Sequence, residues 1–179
     1  MRNLLYLILT AVYLCLTACP YDSNVPLNTY EESLKINKKL IGKWAAIHPD
    51  SSFDELYITK AAKTVLRVQH NAYNENGVKV ENNYYRAFSI EINGVKIMNI
   101  EKHDGKYNFY KYKWVSDDEF VLQSIADTYI EENYKDAKNA KSKELREFIE
   151  KNIDQPKMFE EEIRFYKEGS EKYNKREAK

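Results

Sequence analysis

The sequence predicts a mainly β protein, an up-and-down antiparallel barrel of about eight strands followed by one C-terminal helix and a short final strand. Asn93-Gly94 is a turn signal between two runs of alternating apolar and polar residues, and Asn76-Gly77 marks another turn. The 179 residues include 15 tyrosines, a residue type that favours strands and half-buried surfaces. A meander of this kind tends to close, because closure removes exposed strand edges.

The N-terminal segment has the layout of a signal peptide over residues 1–18. It carries Arg2 and then a continuous apolar run over 4–16, which is too short to span a bilayer with normal flanks. The string Leu16-Thr17-Ala18-Cys19 resembles the lipobox of bacterial lipoproteins. This resemblance implies cleavage before Cys19, a lipid on its sulfur and a lipid-anchored place in the bacterial cell envelope, where we favour the outer membrane.

The rest of the chain reads as one domain with two polar flanks. Residues 19–38 contain Pro20 and Pro26 with several Asn and Ser, which predicts a flexible tether. The barrel with its helix is expected over 39–168, and a frayed polar tail over 169–179. Basic and acidic residues balance at 28 each, so no basic excess is available to hold nucleic acid.

The first strands are expected at Leu40–Ile47, Glu55–Thr59 and Thr64–Asn71, and residues 79–83 are expected to lead into the strand that reaches Asn93-Gly94. A two-residue turn at Asn93-Gly94 sets a register that can be tested. The pairs it predicts are Ile92 with Val95, Ile90 with Ile97, Phe88 with Asn99, Arg86 with Glu101, Glu91 with Lys96, and Ala87 with Ile100. Opposite charges meet twice in this register, which supports it.

The next strand follows Asp104-Gly105, and the same two-residue rule places Trp114 beside Val95, Tyr112 beside Ile97 and Tyr110 beside Asn99. A three-residue loop after that strand would add Phe120 and Leu122 to the same side. The sequence therefore predicts one continuous aromatic face. The residues expected to line the interior are Trp44, Phe88, Ile90, Ile97, Asn99, Tyr110, Tyr112, Trp114 and Leu122.

A helix is expected after the strands. Ser142 is a candidate N-cap, and Leu145, Phe148, Ile149 and Ile153 follow at helical spacing. Pro156 ends the helix, and 158–166 could form a last strand.

This order of elements is similar to that of the lipocalins. Gly42-Lys43-Trp44 at the start of the first strand resembles the Gly-X-Trp motif of that family, which implies that Trp44 closes one end of the barrel. The loop Lys102-His103-Asp104-Gly105 departs from the Thr-Asp-Tyr that the family often has there. The whole chain also resembles small lipoproteins of Bacteroidota-type bacteria, a resemblance that implies an envelope protein and supplies no activity.

No catalytic residue, metal site or cofactor is expected. The three histidines, His48, His70 and His103, lie in different strands or loops without metal-ligand spacing. Cys15 would leave with the signal peptide and Cys19 would carry lipid, so the mature chain would have no thiol for a disulfide, a metal or a nucleophile. The chain also lacks a phosphate-binding glycine loop and a Gly-X-Ser-X-Gly elbow.

Two functions from different classes follow from the aromatic face. In the first, the lipid-anchored barrel holds a small hydrophobic ligand in a cavity of at least about 300 Å³. In the second, side chains fill the barrel, and its loops or edge contact another envelope protein or inhibit an incoming enzyme. Charged substitutions of Tyr112 or Trp114 would abolish ligand uptake by a carrier but unfold a filled barrel.

Overall fold

The computed structural model describes residues 20–174, so the predictions for the signal peptide and for Cys19 lie outside the described residues. Eight antiparallel strands pair in sequence order, and β8 closes the barrel by pairing with β1. The strands are β1 (Gly42–Ile47), β2 (Phe53–Lys60), β3 (Leu66–Tyr73), β4 (Lys79–Ile92), β5 (Val95–Glu101), β6 (Tyr107–Ser116), β7 (Glu119–Ser124) and β8 (Ile163–Lys167). The predicted closed barrel is therefore confirmed.

Within residues 20–174, three α-helices accompany the strands: α1 (Asp127–Asn133), α2 (Ser142–Asn152) and α3 (Glu171–Asn174). Short 3₁₀ turns occupy Lys38–Leu40, Ala137–Asn139 and Pro156–Met158. The predicted helix is α2, which begins one residue earlier than expected because Lys141, rather than Ser142, is the N-cap. Glu144 accepts a hydrogen bond from the backbone N–H of Lys141 at 3.1 Å, which caps this first turn.

The β4–β5 hairpin has the register that its turn predicts. Asn93 and Gly94 have φ values of 49° and 78°, the positive pair that a type I′ turn requires. All six predicted pairs are present, from Ile92 with Val95 at the turn to Arg86 with Glu101.

The predicted register between β5 and β6 is wrong by one residue. The backbone N–H of Lys102 donates to the carbonyl of Lys106 at 2.8 Å, so the loop between them has three residues rather than two. Gly105 supplies the positive φ of 80° that such a loop needs. Tyr110 therefore pairs with Met98, and the neighbour of Asn99 is Phe109. A shift of one residue moves every side chain of a strand to the other face.

The predicted aromatic face is consequently split between the two sides of the barrel wall. Trp44, Tyr112, Phe120 and their neighbours form an inner core. The outer side of β4, β5 and β6 forms a second core with the helices and the N-terminal segment. The members of this outer core are Tyr21, Leu27, Ile92, Ile97, Phe109, Ile125, Ile130, Ala140, Leu145, Ile149, Ile153 and Met158.

The tether predicted over 19–38 is wrong where the structure describes it, because residues 20–36 pack along the outside of the barrel. Leu27 is buried, and its backbone N–H donates to Oδ1 of Asn99 at 2.8 Å. Tyr30 donates to Glu101 and packs edge-on against Phe88, with ring centroids 4.7 Å apart. The segment folds back because its apolar side chains cover an outer wall that is too apolar to face water.

The C-terminal flank is also better ordered than predicted. Tyr173 in α3 is buried, and its ring lies beneath the ammonium group of Lys43 at 5.9 Å from the ring centroid. The tail predicted to fray from residue 169 thus contributes to the fold through residue 174.

Candidate functional site

The two ends of the barrel differ. The strands alternate in direction, so the connections 48–52, 74–78 and 102–106 lie at one end, together with the long connection that carries α1 and α2. We call this the open end. The connections 61–65, 93–94 and 117–118 lie at the other end, where the chain enters β1. We call this the closed end.

Aromatic side chains plug the closed end. Trp44 is fully buried, and its indole N–H donates to the carbonyl of Leu40 at 2.9 Å. Its ring packs edge-on against Phe120 at 4.7 Å, and Phe120 stacks on Phe165 at 5.3 Å. Lys167 of β8 places its ammonium group 5.7 Å from the centroid of the Trp44 ring. This arrangement agrees with the role that the Gly-X-Trp resemblance implies for Trp44.

A cavity of about 220 Å³ occupies the barrel above this plug. It is smaller than the roughly 300 Å³ at which pockets for drug-sized ligands begin, so it fits only a small molecule. Glu81 and Ile163 border it and are exposed, which places its mouth at the open end. The apolar lining consists of Leu40, Leu56, Ile58, Val68, Met98, Ile100, Phe120, Leu122, Ile163 and Phe165.

Polar side chains gather where the cavity meets the open end. They are Asp54, His70, Glu81, Tyr85, Asn108 and Tyr110, and we call this group the polar rim. Asp54 is its centre, because His48 from the β1–β2 connection and His70 from β3 converge on the Asp54 carboxylate. His48 Nε2 lies 2.8 Å from Oδ2 of Asp54, and His70 Nε2 lies 2.9 Å from Oδ1.

The charge state of Asp54 follows from these two contacts. Burial alone raises the pKa of Asp54, but the hydrogen bonds from His70 and His48 outweigh burial and hold that pKa below its usual range. The carboxylate is therefore ionised at neutral pH and accepts hydrogen bonds only. Because an ionised carboxylate has no proton to give, each histidine donates to it from Nε2.

Two further rim residues have their own constraints. The side-chain amide of Asn108 donates to the carbonyl of Tyr21 at 2.9 Å and to Oδ1 of Asp22 at 3.0 Å. Its donor atom thus holds the N-terminal segment and its carbonyl oxygen remains an acceptor. Burial, followed by the charge of Glu81, raises the pKa of Tyr85, so this phenol stays protonated.

Five of the nine residues predicted to line the interior are inside. Tyr110 and Leu122 border the cavity, whereas Trp44, Tyr112 and Trp114 belong to the inner core without bordering it. Because Tyr112 and Trp114 lie in packed surroundings, a charge at either position is expected to disturb the fold whether or not a ligand binds.

The other four predicted residues are not interior, because the shifted β5–β6 register leaves them on the outer wall. Ile90 and Ile97 join the outer core, and Phe88 packs against Tyr30. Asn99 is fully buried beneath the N-terminal segment, where its amide donates to Oδ1 of Asn28 at 3.0 Å. These residues hold the segment rather than a ligand.

Sequence reasoning missed the side of the cavity formed by β2 and β3. The residues on this side, none of which was predicted to line the interior, are Asp54, Leu56, Ile58, Val68 and His70. Their spacing at every second position is the signal that could have found them, since alternate residues share one face of a strand.

No group of three or more His, Cys, Asp or Glu side chains within residues 20–174 is placed to hold a metal ion. Over the same range, no helix has the length and apolar character needed to cross a membrane.

The described geometry defines a closed eight-stranded antiparallel barrel with a small internal cavity. Comparison with protein-family models gives no match, and comparison with curated proteins gives none either. Among solved structures, the chain is similar to a de novo designed fluorescence-activating β-barrel, with a TM-score of 0.41 and 9% identity over 75% of this chain and 99% of that one. It is also similar to a point mutant of the fluorescent protein UnaG, with a TM-score of 0.39 and 10% identity over 76% of this chain and 100% of that one.

Proposed function

We propose that this chain is a lipid-anchored protein of the bacterial cell envelope that holds a small hydrophobic ligand inside its barrel. The observation that carries the proposal is the apolar cavity of about 220 Å³, closed at one end by the aromatic plug and bordered by exposed residues at the other. An apolar ligand that leaves water for such a lining gains free energy in proportion to the area it buries. The proposed role is binding, with no catalytic step.

The position of the N-terminal segment supports exchange of this ligand near a membrane. Pro20 bridges to Ala126, and the backbone N–H of Ser23 donates to the carbonyl of Tyr107 at 2.9 Å, both beside the open end. A lipid on Cys19 would precede Pro20 directly. Because Tyr21 is already packed on the barrel, the anchor would hold the mouth of the cavity close to the membrane surface rather than at the end of a long tether.

Native extraction followed by mass spectrometry tests ligand binding. We expect the wild-type protein to carry a small apolar molecule and the variant Val68→Phe to carry less, because the added ring fills the cavity that Val68 borders. The matched control is Val80→Phe, since Val80 is exposed on β4 and does not border the cavity. Empty wild-type protein, or equal loading of Val68→Phe and wild type, would contradict the proposal.

Fractionation tests the anchor separately. We expect Cys19→Ser to leave the membrane fraction and to lose incorporation of a labelled fatty acid. Cys15→Ser is the control, because the signal-peptide interpretation removes Cys15 before the mature protein forms. If Cys19→Ser stays membrane-bound and labelled, the lipid assignment is wrong while the cavity proposal stands.

A second candidate function, an interaction module, is favoured by the β3–β4 hairpin. Lys79–Tyr85 of β4 pairs with β3, whereas the β4–β5 ladder begins only at Arg86. Val80 and Tyr84 are more than half exposed on this stretch, which leaves an apolar strand edge for a partner. A photo-crosslinker at Tyr84 should then capture an envelope protein in cells, and one at Val115, exposed at the closed end, should not.

A further inference from the structure

The polar rim contains two carboxylates and neither lysine nor arginine among the residues that border the cavity. Asp54 and Glu81 are its two carboxylates, and none of the bordering residues is Lys or Arg. The nearby lysines are engaged elsewhere, since Lys102 Nζ lies 2.7 Å from Oδ1 of Asp22 and Lys106 Nζ lies 3.4 Å from its Oδ2. A group placed at the rim therefore lies near two carboxylates, with no lysine or arginine among the bordering residues.

The side chains of the rim also offer a ligand more hydrogen-bond acceptors than donors. The Nε2–H donors of His48 and His70 both point to Asp54, and the amide donor of Asn108 is held by Tyr21 and Asp22. The acceptors of the rim are the carboxylate oxygens of Asp54 and Glu81 and the Oδ1 atom of Asn108, and the hydroxyl groups of Tyr85 and Tyr110 can donate or accept. A carboxylate or phosphate head group would be repelled there by the carboxylates of Asp54 and Glu81.

We propose that the ligand of the barrel has a cationic head group, an ammonium carried on a short apolar body, with the head at the polar rim and the body against the apolar lining. This inference rests on the proposed ligand binding and adds the chemical class of the ligand. The ammonium donates hydrogen bonds to Asp54 and Glu81, and such charge-assisted bonds are about twice as strong as neutral ones. The limited volume of about 220 Å³ restricts the body to a few carbon atoms or one ring.

The experiment compares probes that share one apolar body and differ in the head group. Hexylamine, hexanol and hexanoate are titrated into the purified full chain at neutral pH, and binding is followed by saturation-transfer NMR of the probe. We expect hexylamine to bind about tenfold more tightly than hexanoate, with hexanol between them. The detergent that keeps the protein in solution takes up the same amount of probe for every variant. Ratios of probe affinity between variants therefore report on the binding site.

Variants assign the preference to the rim. Asp54→Asn keeps the shape of the side chain and removes its charge, and we expect it to abolish most of the preference for hexylamine. Glu81→Gln is the second variant, since Glu81 is exposed and its replacement leaves the packing of the barrel intact if Asp54→Asn folds poorly. Asp117→Asn is the matched control, because Asp117 is exposed at the closed end and pairs with Lys39.

The outcomes separate this inference from the proposed function. A preference for hexylamine that is lost in Asp54→Asn or Glu81→Gln and kept in Asp117→Asn supports the cationic ligand. Binding of all three probes with equal affinity, or tighter binding of hexanoate, would overturn the inference and leave the hydrophobic-ligand proposal in place. If no probe binds, both are overturned.

Discussion

Asp54 contributes both to the stability of the barrel and to the charge at the mouth of its cavity. Asp54 lies on β2, which pairs with β1 and β3, and its carboxylate accepts one hydrogen bond from His48 and one from His70. The same charge sets the negative character of the polar rim. A residue with both duties cannot be altered for one without an effect on the other.

Replacing Asp54 by Asn should destabilise the protein by about 2 kcal/mol at neutral pH, the scale of a hydrogen bond to a charged group. The pKa of Asp54 is lowered in the folded state, so its stabilisation is present above the unfolded value of 3.8 and is lost as pH falls through the lower folded value. Urea unfolding of both proteins between pH 2 and pH 7 should therefore show a difference that shrinks below about pH 4. Asp118→Asn, exposed at the closed end, is the control, and a difference for Asp54→Asn that does not vary with pH would contradict this explanation.

Asn99 holds the N-terminal segment against the outer wall of the barrel. It is fully buried and holds the N-terminal segment through Leu27 and Asn28 while also donating to the carbonyl of Phe88 at 3.2 Å. Asn99→Ala would leave a buried N–H and a buried side-chain oxygen unsatisfied, at a cost of about 3 kcal/mol.

Hydrogen exchange is the measurement for Asn99→Ala. We expect faster exchange over residues 20–36 and little change in the strands on the far side of the barrel. Asn82→Ala, on the exposed side of β4, should leave exchange in the segment unchanged. Equal protection of the segment in Asn99→Ala and wild type would show that Asn99 does not hold it.

At the scale of elements, helix α2 is a lid on the outer core and not a part of the barrel wall. Leu145 and Ile149 are fully buried against the outer core, whereas the adjacent Glu150 is exposed. Ile149→Ala should cost about 3 kcal/mol, within the range for buried large-to-small substitutions. Glu150→Ala should stay within about 0.5 kcal/mol of wild type. Thermal unfolding of the two variants checks this, and equal losses would mean that α2 does not pack as described.

The strand order, the β4–β5 register and helix α2 could be predicted because each depends on a local signal. Asn93-Gly94 allows one turn type, and Leu145, Phe148 and Ile149 repeat at helical spacing. The register between β5 and β6 could not be predicted, because Asp104-Gly105 is compatible with both a two-residue and a three-residue loop. One residue of loop length decided which side chains of β6 share a face with those of β5, so four of the nine residues predicted to line the interior lie on the outer wall.

The prediction of a flexible tether in the N-terminal segment was wrong for a different reason. Prolines, asparagines and mixed charge over 19–38 give no periodic pattern, and the composition is that of a linker. Its order comes from long-range contacts, such as that between Leu27 and Asn99, which local sequence does not reveal. The convergence of His48 and His70 on Asp54 has the same origin, since it needs the register of three strands.

At the scale of the whole molecule, the barrel wall separates two apolar cores with different roles. The inner core closes one end and leaves a cavity, and the outer core ties the N-terminal segment and the helices to the wall. Neighbouring residues of one strand serve opposite sides, as Ile97 is outside and Met98 inside. Ligand binding should therefore change the environment of every second residue along β5, on the inner side of the wall.

Methyl NMR during titration with an apolar amine tests the central claim most directly, since it reports on the two sides of the wall separately. We predict that the methyl signals of Met98, Ile100 and Val68, which border the cavity, shift in proportion to occupancy. The signals of Ile97 and Ile149 in the outer core should stay in place. Shifts confined to the outer core, or no shift in either core, would contradict a ligand site inside the barrel.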